Sequence, residues 1–253
     1  MGVISSMKKI LVIGESCKDV FIYCNADRLA PDLPVPVLTI IEQKENPGMA
    51  ANVEQNIKSL FPHVDLCTND GWEKGTKTRY MHQSTNHIFI RVDTNNRIPR
   101  VAIQNVPLSQ YDAIAISDYN KGFLTEEDIQ YVCEHHNLVF IDTKKVLGDW
   151  VAKAKYIKIN NKEYELSKPY ISPAIQSKII YTKGEQGAFF NRKNYPVHKK
   201  VEVRDLTGAG DTFFAALIVK YVETGDIEQS IVFANECAAE VVKHKGVTVI
   251  QKS

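Results

Sequence analysis

A run near the carboxyl end of the chain combines two glycines with an acidic residue at the start of an apolar helical pattern. The run is Asp205-Leu206-Thr207-Gly208-Ala209-Gly210-Asp211-Thr212, and the apolar residues after it recur on one face of a helix. A helix N-terminus offers free backbone N–H groups and the positive end of the helix dipole. Because glycine lets an anion approach the backbone closely, this turn suits a phosphate or the charge that develops in phosphoryl transfer.

Asp211 supplies the reactive group of this run. In the first turn of a helix its carboxylate is stabilised, and beside a phosphate it can accept the proton of an attacking hydroxyl. Phosphoryl transfer has a loose transition state, so a well-placed base of ordinary strength is sufficient. The alternative is an Asp that only caps a helix after a glycine turn, which the Gly-x-Gly-Asp pattern alone would favour.

The composition of the 253 residues is that of an ordinary globular protein. Hydrophobic residues make up 44%, and 31 basic against 30 acidic residues leave a net charge of +1. This balance predicts neither nucleic acid nor a membrane as a partner, and no apolar run reaches membrane-spanning length. The five cysteines lack Cys-x-x-Cys spacing, which predicts free thiols in a reducing, cytoplasmic setting.

Apolar segments alternate with helical patterns along the chain, which predicts an α/β fold with a mostly parallel central sheet. Because the carboxyl ends of parallel strands meet at one edge of an open sheet, the polar residues that follow these strands should line a ligand crevice. The predicted strands are 8–14, 64–67, 112–117, 138–141, 156–159 and 178–182.

Two further regions are predicted to leave the main sheet and to form a small β lid. Residues 20–42 contain short strands around a proline-rich segment, and proline inside a strand indicates a sheet edge. Residues 77–92 alternate around 83–86 and are typical of a hairpin. Because repeats, low-complexity runs and long linkers are absent, we expect a single domain over residues 1–253 that includes this lid.

Polar residues at the expected crevice are candidate ligands for a sugar and for a nucleotide. Asp19, Gly48 and Asn52 can hold sugar hydroxyls, although each also suits a turn or a helix start. Asn160 and Glu163 lie one helical turn apart and can orient Mg²⁺ through water around nucleotide phosphates. The alternative for this pair is a helix start with a capping Asn.

Residues of the lid and of later segments complete the candidate set. Lys77 and Arg79 are either solvated strand charges or a site for a second phosphate on the substrate, since Arg binds phosphate in a bidentate manner. Thr182 and Gly184 follow a strand end, where the phosphates or ribose of a nucleotide can contact the backbone. Asn235, among small apolar residues of the last predicted helix, either borders a base pocket or is a satisfied polar group.

The run 205–212 resembles the signature of the ribokinase-like carbohydrate kinases. The resemblance implies a three-layer sandwich with a β lid and an enzyme that uses ATP and Mg²⁺. It further implies that the turn 208–210 is the anion hole over the transferred phosphate, that Asp211 is the catalytic base, and that Thr207 belongs to the nucleotide site.

Within that family, the chain as a whole looks most like the heptose 7-phosphate kinase branch. The resemblance implies transfer of the ATP γ-phosphate to the anomeric hydroxyl of a heptose phosphate, a step in lipopolysaccharide precursor synthesis. It places Asp118 and Lys121 among the residues that bind the sugar phosphate, and it implies a homodimer formed through the lids. The segments that carry it are 31–37, 47–53, 76–79, 117–122 and 142–144.

Three departures from that branch leave other functions open. Met49 stands where the relatives usually have a glycine and adds bulk beside the sugar. The segment between Leu66 and Lys77 is short, so we expect one helix and one strand to be missing or reduced. No nucleotidyltransferase region follows Ser253, so kinase activity alone is expected. The alternatives are a kinase of another sugar phosphate or of a nucleoside, and a nucleotide- or sugar-binding regulator without turnover.

Overall fold

The helices and strands of the chain form two sheets and the helical layers that cover one of them. The computed structural model describes residues 8–85, 87–94, 97–197, 201 and 204–250. In chain order the elements are β1 Ile10–Ile13, β2 Ser16–Leu29, β3 Pro36–Met49, α1 Ala50–Leu60, β4 Val64–Cys67, β5 Thr76–His82, β6 Ile88–Asp93, β7 Ala113–Asp118, α2 Glu126–His135, β8 Val139–Thr143, β9 Tyr156–Asn160, α3 Asn161–Ser167, α4 Pro173–Gln176, β10 Ile179–Thr182, β11 Ala188–Phe190, β12 Lys193–Tyr195, α5 Ala209–Thr224 and α6 Ile227–Val241.

The main sheet contains eight strands within the described ranges, in the order β12-β11-β10-β9-β8-β7-β1-β4. Strands β4, β1, β7, β8, β9 and β10 run parallel to one another, and β11 and β12 add an antiparallel edge. The predicted α/β class with a mostly parallel sheet is therefore confirmed. The parallel strands end at one edge, where their polar loops come together.

Alternation along the central strands builds a separate core on each face of the main sheet. Ile10 and Val12 of β1 pack into the cluster formed with α1, α5 and α6. Leu11 and Ile13 point to the opposite face and pack into the cluster that includes residues of α2. Helix α5 is buried over most of its length, so its first turn is held rigidly at the rim of the sheet. The result is the predicted three-layer sandwich.

The second sheet has the order β3-β2-β5-β6 and corresponds to the predicted lid. Its β2–β3 and β5–β6 pairs are antiparallel, whereas β2 and β5 are parallel. The predicted lid bounds of 20–42 and 77–92 were too narrow, and its first two strands are not short, because β2 and β3 each have 14 residues. Backbone pairing extends from Ser16 opposite Met49, through polar residues that carry no strand pattern. In the turn predicted at 83–86, Asn86 lies outside the described residues.

The connection from β4 to β5 is as brief as the sequence suggests. Residues 68–75, all of which are described, contain only a short 3₁₀ turn at Trp72–Lys74. This agrees with the expectation that a helix and a strand are missing there. In the part of the chain that the structure describes, no helix combines the length and the apolar character needed to cross a bilayer.

Candidate active site

The glycine turn of the 205–212 run forms the start of α5, as predicted. Gly208 is the N-cap and has a left-handed backbone with φ of 83°, a conformation that glycine adopts without strain. A Cβ atom added to Gly208 would lie 3.2 Å from Asn52 Nδ2, and one added to Gly210 would lie 3.2 Å from Lys158 Nζ. The Ala209 N–H donates to the Leu206 carbonyl at 3.3 Å, and the two glycines keep side chains away from the rest of this first turn, which leaves room for an approaching anion.

Asp211 lies in the first turn of α5 and is held at both carboxylate oxygens. The Tyr119 hydroxyl donates a hydrogen bond of 2.6 Å to Oδ1, and Asn52 Nδ2 donates one of 2.8 Å to Oδ2. Burial raises the pKa of Asp211 above its ordinary value, while the hydrogen bonds from Tyr119 and Asn52 act in the opposite direction. A carboxylate with a raised pKa is a better proton acceptor than an exposed Asp.

Asn52, which was predicted to hold a sugar hydroxyl, donates to Asp211. Its side chain is oriented from within α1, since Asn56 Nδ2 donates to Asn52 Oδ1 at 3.1 Å. Asn56 Oδ1 in turn accepts a hydrogen bond from the Thr212 hydroxyl at 3.1 Å. This buried network joins α1 to the first turn of α5 and fixes the direction in which Asp211 points.

A group of paired charges lies beside the glycine turn, at the ends of β8 and β9. Lys158 Nζ is 2.7 Å from Asp142 Oδ2, and Lys144 Nζ is 2.6 Å from Glu163 Oε1. Burial raises the pKa of Asp142, but the neighbouring ammonium groups of Lys158 and Lys144 outweigh it and hold that pKa below its usual range. Asp142 Oδ1 is buried without a hydrogen-bond partner.

Asn160 and Glu163 form a helix start, which was the alternative to a Mg²⁺-orienting pair. Asn160 Oδ1 accepts a hydrogen bond of 2.9 Å from the Glu163 N–H, and Glu163 Oε2 accepts one of 2.8 Å from the Asn160 N–H. This reciprocal capping box opens α3. Because the ion pair with Lys144 joins Glu163 to the charged group beside the glycine turn, capping does not exclude a second role near phosphates.

A cavity of about 560 Å³ opens on the α5 and α6 side of the turn. Thr182, Gly184 and Asn235, predicted as nucleotide-site residues, are all in its wall. Asn235 is also satisfied, because its Nδ2 donates to the Tyr195 carbonyl at 2.8 Å. Thr207 precedes the turn, where its N–H donates to Asp205 Oδ1 at 2.8 Å. Further wall residues are Glu185, Gln186, Gly187, Leu206, Ala209, Gly210, Phe213 and Ala238.

A smaller cavity of about 100 Å³ lies between the lid and the main sheet. Lys77 of β5 and Lys121 of the loop after β7, both predicted as substrate-binding residues, are in its wall. Met49 also lines it and precedes by three residues the Asn52 that holds Asp211. The wall of the larger cavity contains Gly210, next to Asp211 in the sequence, and the smaller cavity contains Lys77, which lies over the ring of the Tyr119 that donates to Asp211. The wall also contains Ser16, Cys17, Asn69, Trp72 and Arg97.

Three predicted sugar ligands are engaged with other protein groups. Asp19 of β2 is buried and pairs with Arg79 of β5, with 2.7 Å between Oδ1 and Nη1. A Cβ atom on Gly48 would lie 2.4 Å from Asp19 Oδ2, so this glycine lets β3 pass close to the pair. Asp118 is buried and accepts hydrogen bonds from Lys145 Nζ at 2.8 Å and from Thr143.

Residues that were not predicted as site residues also lie here. Lys158 sits in an otherwise apolar strand segment, Ile157-Lys158-Ile159, and a lone charge in such a segment was a usable signal. Tyr119 belongs to the segment 117–122, which carries part of the family resemblance, but no role was predicted for this residue from the sequence. Arg97 follows a polar stretch of sequence without apolar periodicity, and only the fold brings it to the smaller cavity.

Comparisons with known proteins identify the family of this chain. A family model described as pfkB family carbohydrate kinase matches residues 82–252. Because this is more than half of the sequence, the chain belongs to that family and is an ATP-dependent carbohydrate kinase.

Similar proteins support this placement, and similar structures share the fold of this chain. The bifunctional protein HldE of Helicobacter pylori strain J99 is 32% identical, over 95% of this chain and 64% of that protein. HldE of Hydrogenovibrio crunogenus is 29% identical, over 98% of this chain and 62% of that protein. The chain thus spans less than two thirds of the length of these relatives.

Ribokinase from Thermotoga maritima superimposes with a TM-score of 0.72 at 17% identity, covering 95% of this chain and 94% of that one. Phosphofructokinase-2 from Escherichia coli gives 0.71 at 13% identity, covering 97% and 96%.

Proposed function

We propose that this kinase phosphorylates the anomeric hydroxyl of a heptose 7-phosphate. The observation that carries the proposal is a set of three cationic side chains, Lys77, Arg97 and Lys121, around the smaller cavity. A second phosphate on the acceptor is the group that such a set would bind. The HldE relatives, which combine heptose kinase and adenylyltransferase activities, support the same acceptor.

The three cations of the smaller cavity are available to a ligand. Within the described ranges, none of them takes part in an ion pair with a carboxylate. Asp93 lines the same cavity, but Arg91 holds its carboxylate through hydrogen bonds of 2.7 and 2.8 Å. Asp70 also lines the cavity, so three cationic groups face two carboxylates, one of which is already held by Arg91. The balance is positive in a protein whose net charge is only +1. Ser16 and Asn69 add neutral polar groups for sugar hydroxyls.

In the proposed reaction, the anomeric oxygen of the sugar forms a bond to the γ-phosphorus of ATP. The bond between that phosphorus and the oxygen it shares with the β-phosphate breaks, and ADP leaves. Asp211 accepts the proton of the attacking hydroxyl. The backbone N–H groups at 208–210 stabilise the negative charge on the transferred group, and Lys158 adds positive charge beside Gly210.

The residues present suit a Mg²⁺ ion held through water on the nucleotide phosphates. Among the described residues, no cluster of three or more His, Cys, Asp or Glu side chains could hold a metal directly. Mg²⁺ in kinases keeps several of its waters, and Glu163 with Asn160 offers oxygen acceptors for such waters. Asp142 Oδ1, which has no hydrogen-bond partner and lies 3.7 Å from Lys144 Nζ, is a further acceptor in the same charged group. The ion would neutralise charge on the phosphates.

An acceptor screen with purified protein and Mg-ATP tests this proposal, with ADP release as the readout. We expect heptose 7-phosphate to be the best substrate, ahead of fructose 6-phosphate, ribose and a nucleoside. Asp211→Asn should abolish turnover and leave ATP binding intact. Full activity of that variant would refute Asp211 as the base. If the protein binds ATP but releases no ADP with any acceptor, the result would favour the alternative function, a nucleotide- or sugar-binding regulator without turnover.

The role of the cations has its own test. We expect Arg97→Ala and Lys121→Ala each to raise KM for the phosphorylated heptose by about tenfold, because each removes one charge-assisted contact. KM for ATP should stay unchanged, which serves as the internal control. An acceptor KM unchanged in both variants would show that the phosphate is bound elsewhere.

We also propose that two copies of the chain associate through their lids. Ile88, Ile90 and Val92 alternate along the edge strand β6 and are 46%, 53% and 44% exposed. Ile40 of the other edge strand, β3, is 60% exposed. Such an apolar sheet edge is costly to leave in water. Light scattering should give the mass of a dimer, and Ile90→Glu should give a monomer, whereas a monomeric unaltered protein would contradict the proposal.

A further inference from the structure

Tyr119 connects Asp211 to both sides of the site. It lies in the loop after β7, and its hydroxyl is 2.6 Å from Asp211 Oδ1. Lys77 Nζ from the lid lies 4.8 Å from the centre of its ring, and Lys144 Nζ from the main sheet lies 5.4 Å from it. Cations at such distances are attracted to the aromatic face. Two lysines from different sheets thus hold the ring that contacts Asp211.

The direction of the hydrogen bond is settled by charge. Burial, followed by the nearby negative charge of Asp211, raises the pKa of Tyr119 well above its ordinary value, so the phenol keeps its proton. A neutral phenol beside a carboxylate acts as the donor. A donor hydrogen bond favours the charged form of the carboxylate, which burial disfavours.

We propose that Tyr119 is a positioning residue for the base, whose phenol both orients the Asp211 carboxylate and stabilises its charged form. Asn52 holds the other oxygen, so the two contacts together fix the plane of the carboxylate. Lys77 also lines the smaller cavity, so one side chain lies against both the proposed acceptor site and the ring of Tyr119. This inference rests on the proposed function, because it takes Asp211 to be the base.

Other charged groups near Asp211 come from the neighbouring strands and remain in place when Tyr119 is altered. Asp142 of β8 opposes ionisation of Asp211, and Lys158 of β9 favours it. These two form an ion pair of 2.7 Å with each other, so their effects on Asp211 partly cancel. Lys144 is also near enough for the charge of Asp211 to raise its pKa. The Tyr119 hydrogen bond is therefore the contact that a single conservative substitution can remove.

Tyr119→Phe removes this hydrogen bond and keeps the ring between the lysines. We expect kcat with heptose 7-phosphate to fall by about tenfold or more near neutral pH, since hydrogen bonds to charged groups are among the stronger ones. The acidic limb of the pH profile should move to higher pH, because the base then needs a higher pH to ionise. KM for ATP should not change.

Tyr111→Phe is a matched control. The Tyr111 hydroxyl donates to another carboxylate, Asp65 Oδ2, at 2.8 Å, and neither residue lies in the walls of the two cavities. This variant should keep both the rate and the pH profile. A Tyr119→Phe enzyme with an unchanged profile, or one whose loss is the same at every pH, would overturn the inference.

An infrared titration of the Asp211 carboxyl group gives a readout that needs no acceptor. The band is identified by its absence in Asp211→Asn, and in Tyr119→Phe it should titrate at higher pH than in the unaltered protein. If the band titrates at the same pH in both proteins, the role of Tyr119 is refuted, but the proposal that Asp211 is the base is unaffected. By contrast, an Asp211→Asn variant that is fully active would refute the proposed base, whatever Tyr119 does.

Discussion

Replacing Met49 by glycine and by alanine should separate backbone strain from side-chain packing. Met49 is the N-cap of α1 and has φ of 62° and ψ of −131°, a combination that suits glycine. Its side chain is buried, with 3% of its surface exposed. Both substitutions remove that side chain, so the loss of packing is nearly the same in each. The difference between them reports the conformation of the backbone.

The expected difference in stability follows from two opposing effects. A non-glycine residue in a sparsely populated left-handed region costs about 1–3 kcal/mol, and glycine is free of that cost. Glycine loses about 0.5–1 kcal/mol relative to alanine through its greater freedom in the unfolded chain. Because backbone strain outweighs this loss of freedom, Met49→Gly should be more stable than Met49→Ala by about 1 kcal/mol.

Thermal and urea unfolding of the two variants measure this difference. For a chain of this size, about 1 kcal/mol corresponds to roughly 2–4 °C in Tm. The pair Glu236→Gly and Glu236→Ala, at an exposed position inside α6, is the control and should give the opposite order. If Met49→Ala proved as stable as Met49→Gly, or more so, the argument from strain would be refuted.

Three further predictions concern the lid, the metal and the pH dependence. Gly48→Ala should lower the free energy of unfolding by about 1–3 kcal/mol in urea titrations, because its Cβ would lie 2.4 Å from the Asp19 carboxylate; an unchanged midpoint would contradict the close passage of β3. Glu163→Gln should raise the Mg²⁺ concentration needed for half-maximal ADP release, with little effect at saturating Mg²⁺, and an unaltered Mg²⁺ curve would remove Glu163 from that role. Because burial raises the pKa of Asp211 and the base must be ionised, kcat/KM should fall, as the pH is lowered, at a higher pH than for an exposed Asp. Constant kcat/KM down to the ordinary range of Asp would contradict this.

The sequence by itself determined the elements and their local chemistry. Short apolar runs placed the central strands, and the helical periodicity after Gly208 placed the start of α5, because such local patterns report which parts of an element are buried. Asp226, directly before the apolar pattern of α6, is a residue type typical of an N-cap, and its side chain accepts hydrogen bonds from the N–H groups of Glu228 and Gln229. Such signals depend only on neighbours within one or two turns.

The long polar strands of the lid show one limit of that approach. Residues 42–47 of β3 have no apolar alternation, yet they pair with residues 18–23 of β2. Hydrogen bonds between backbones hold them there, and backbone groups are the same in every residue except proline. A pattern of side chains therefore could not reveal where the strands end.

Only the tertiary structure decided which side chains meet at the site. Asp211 contacts Asn52, 159 positions away in the sequence, and Tyr119, 92 positions away. The packing of α1 against α5 brings Asn52 to the Asp211 carboxylate, and pairing of β2 with β5 brings Asp19 to Arg79. Such contacts arise when distant elements pack together, so no local pattern of residues records them.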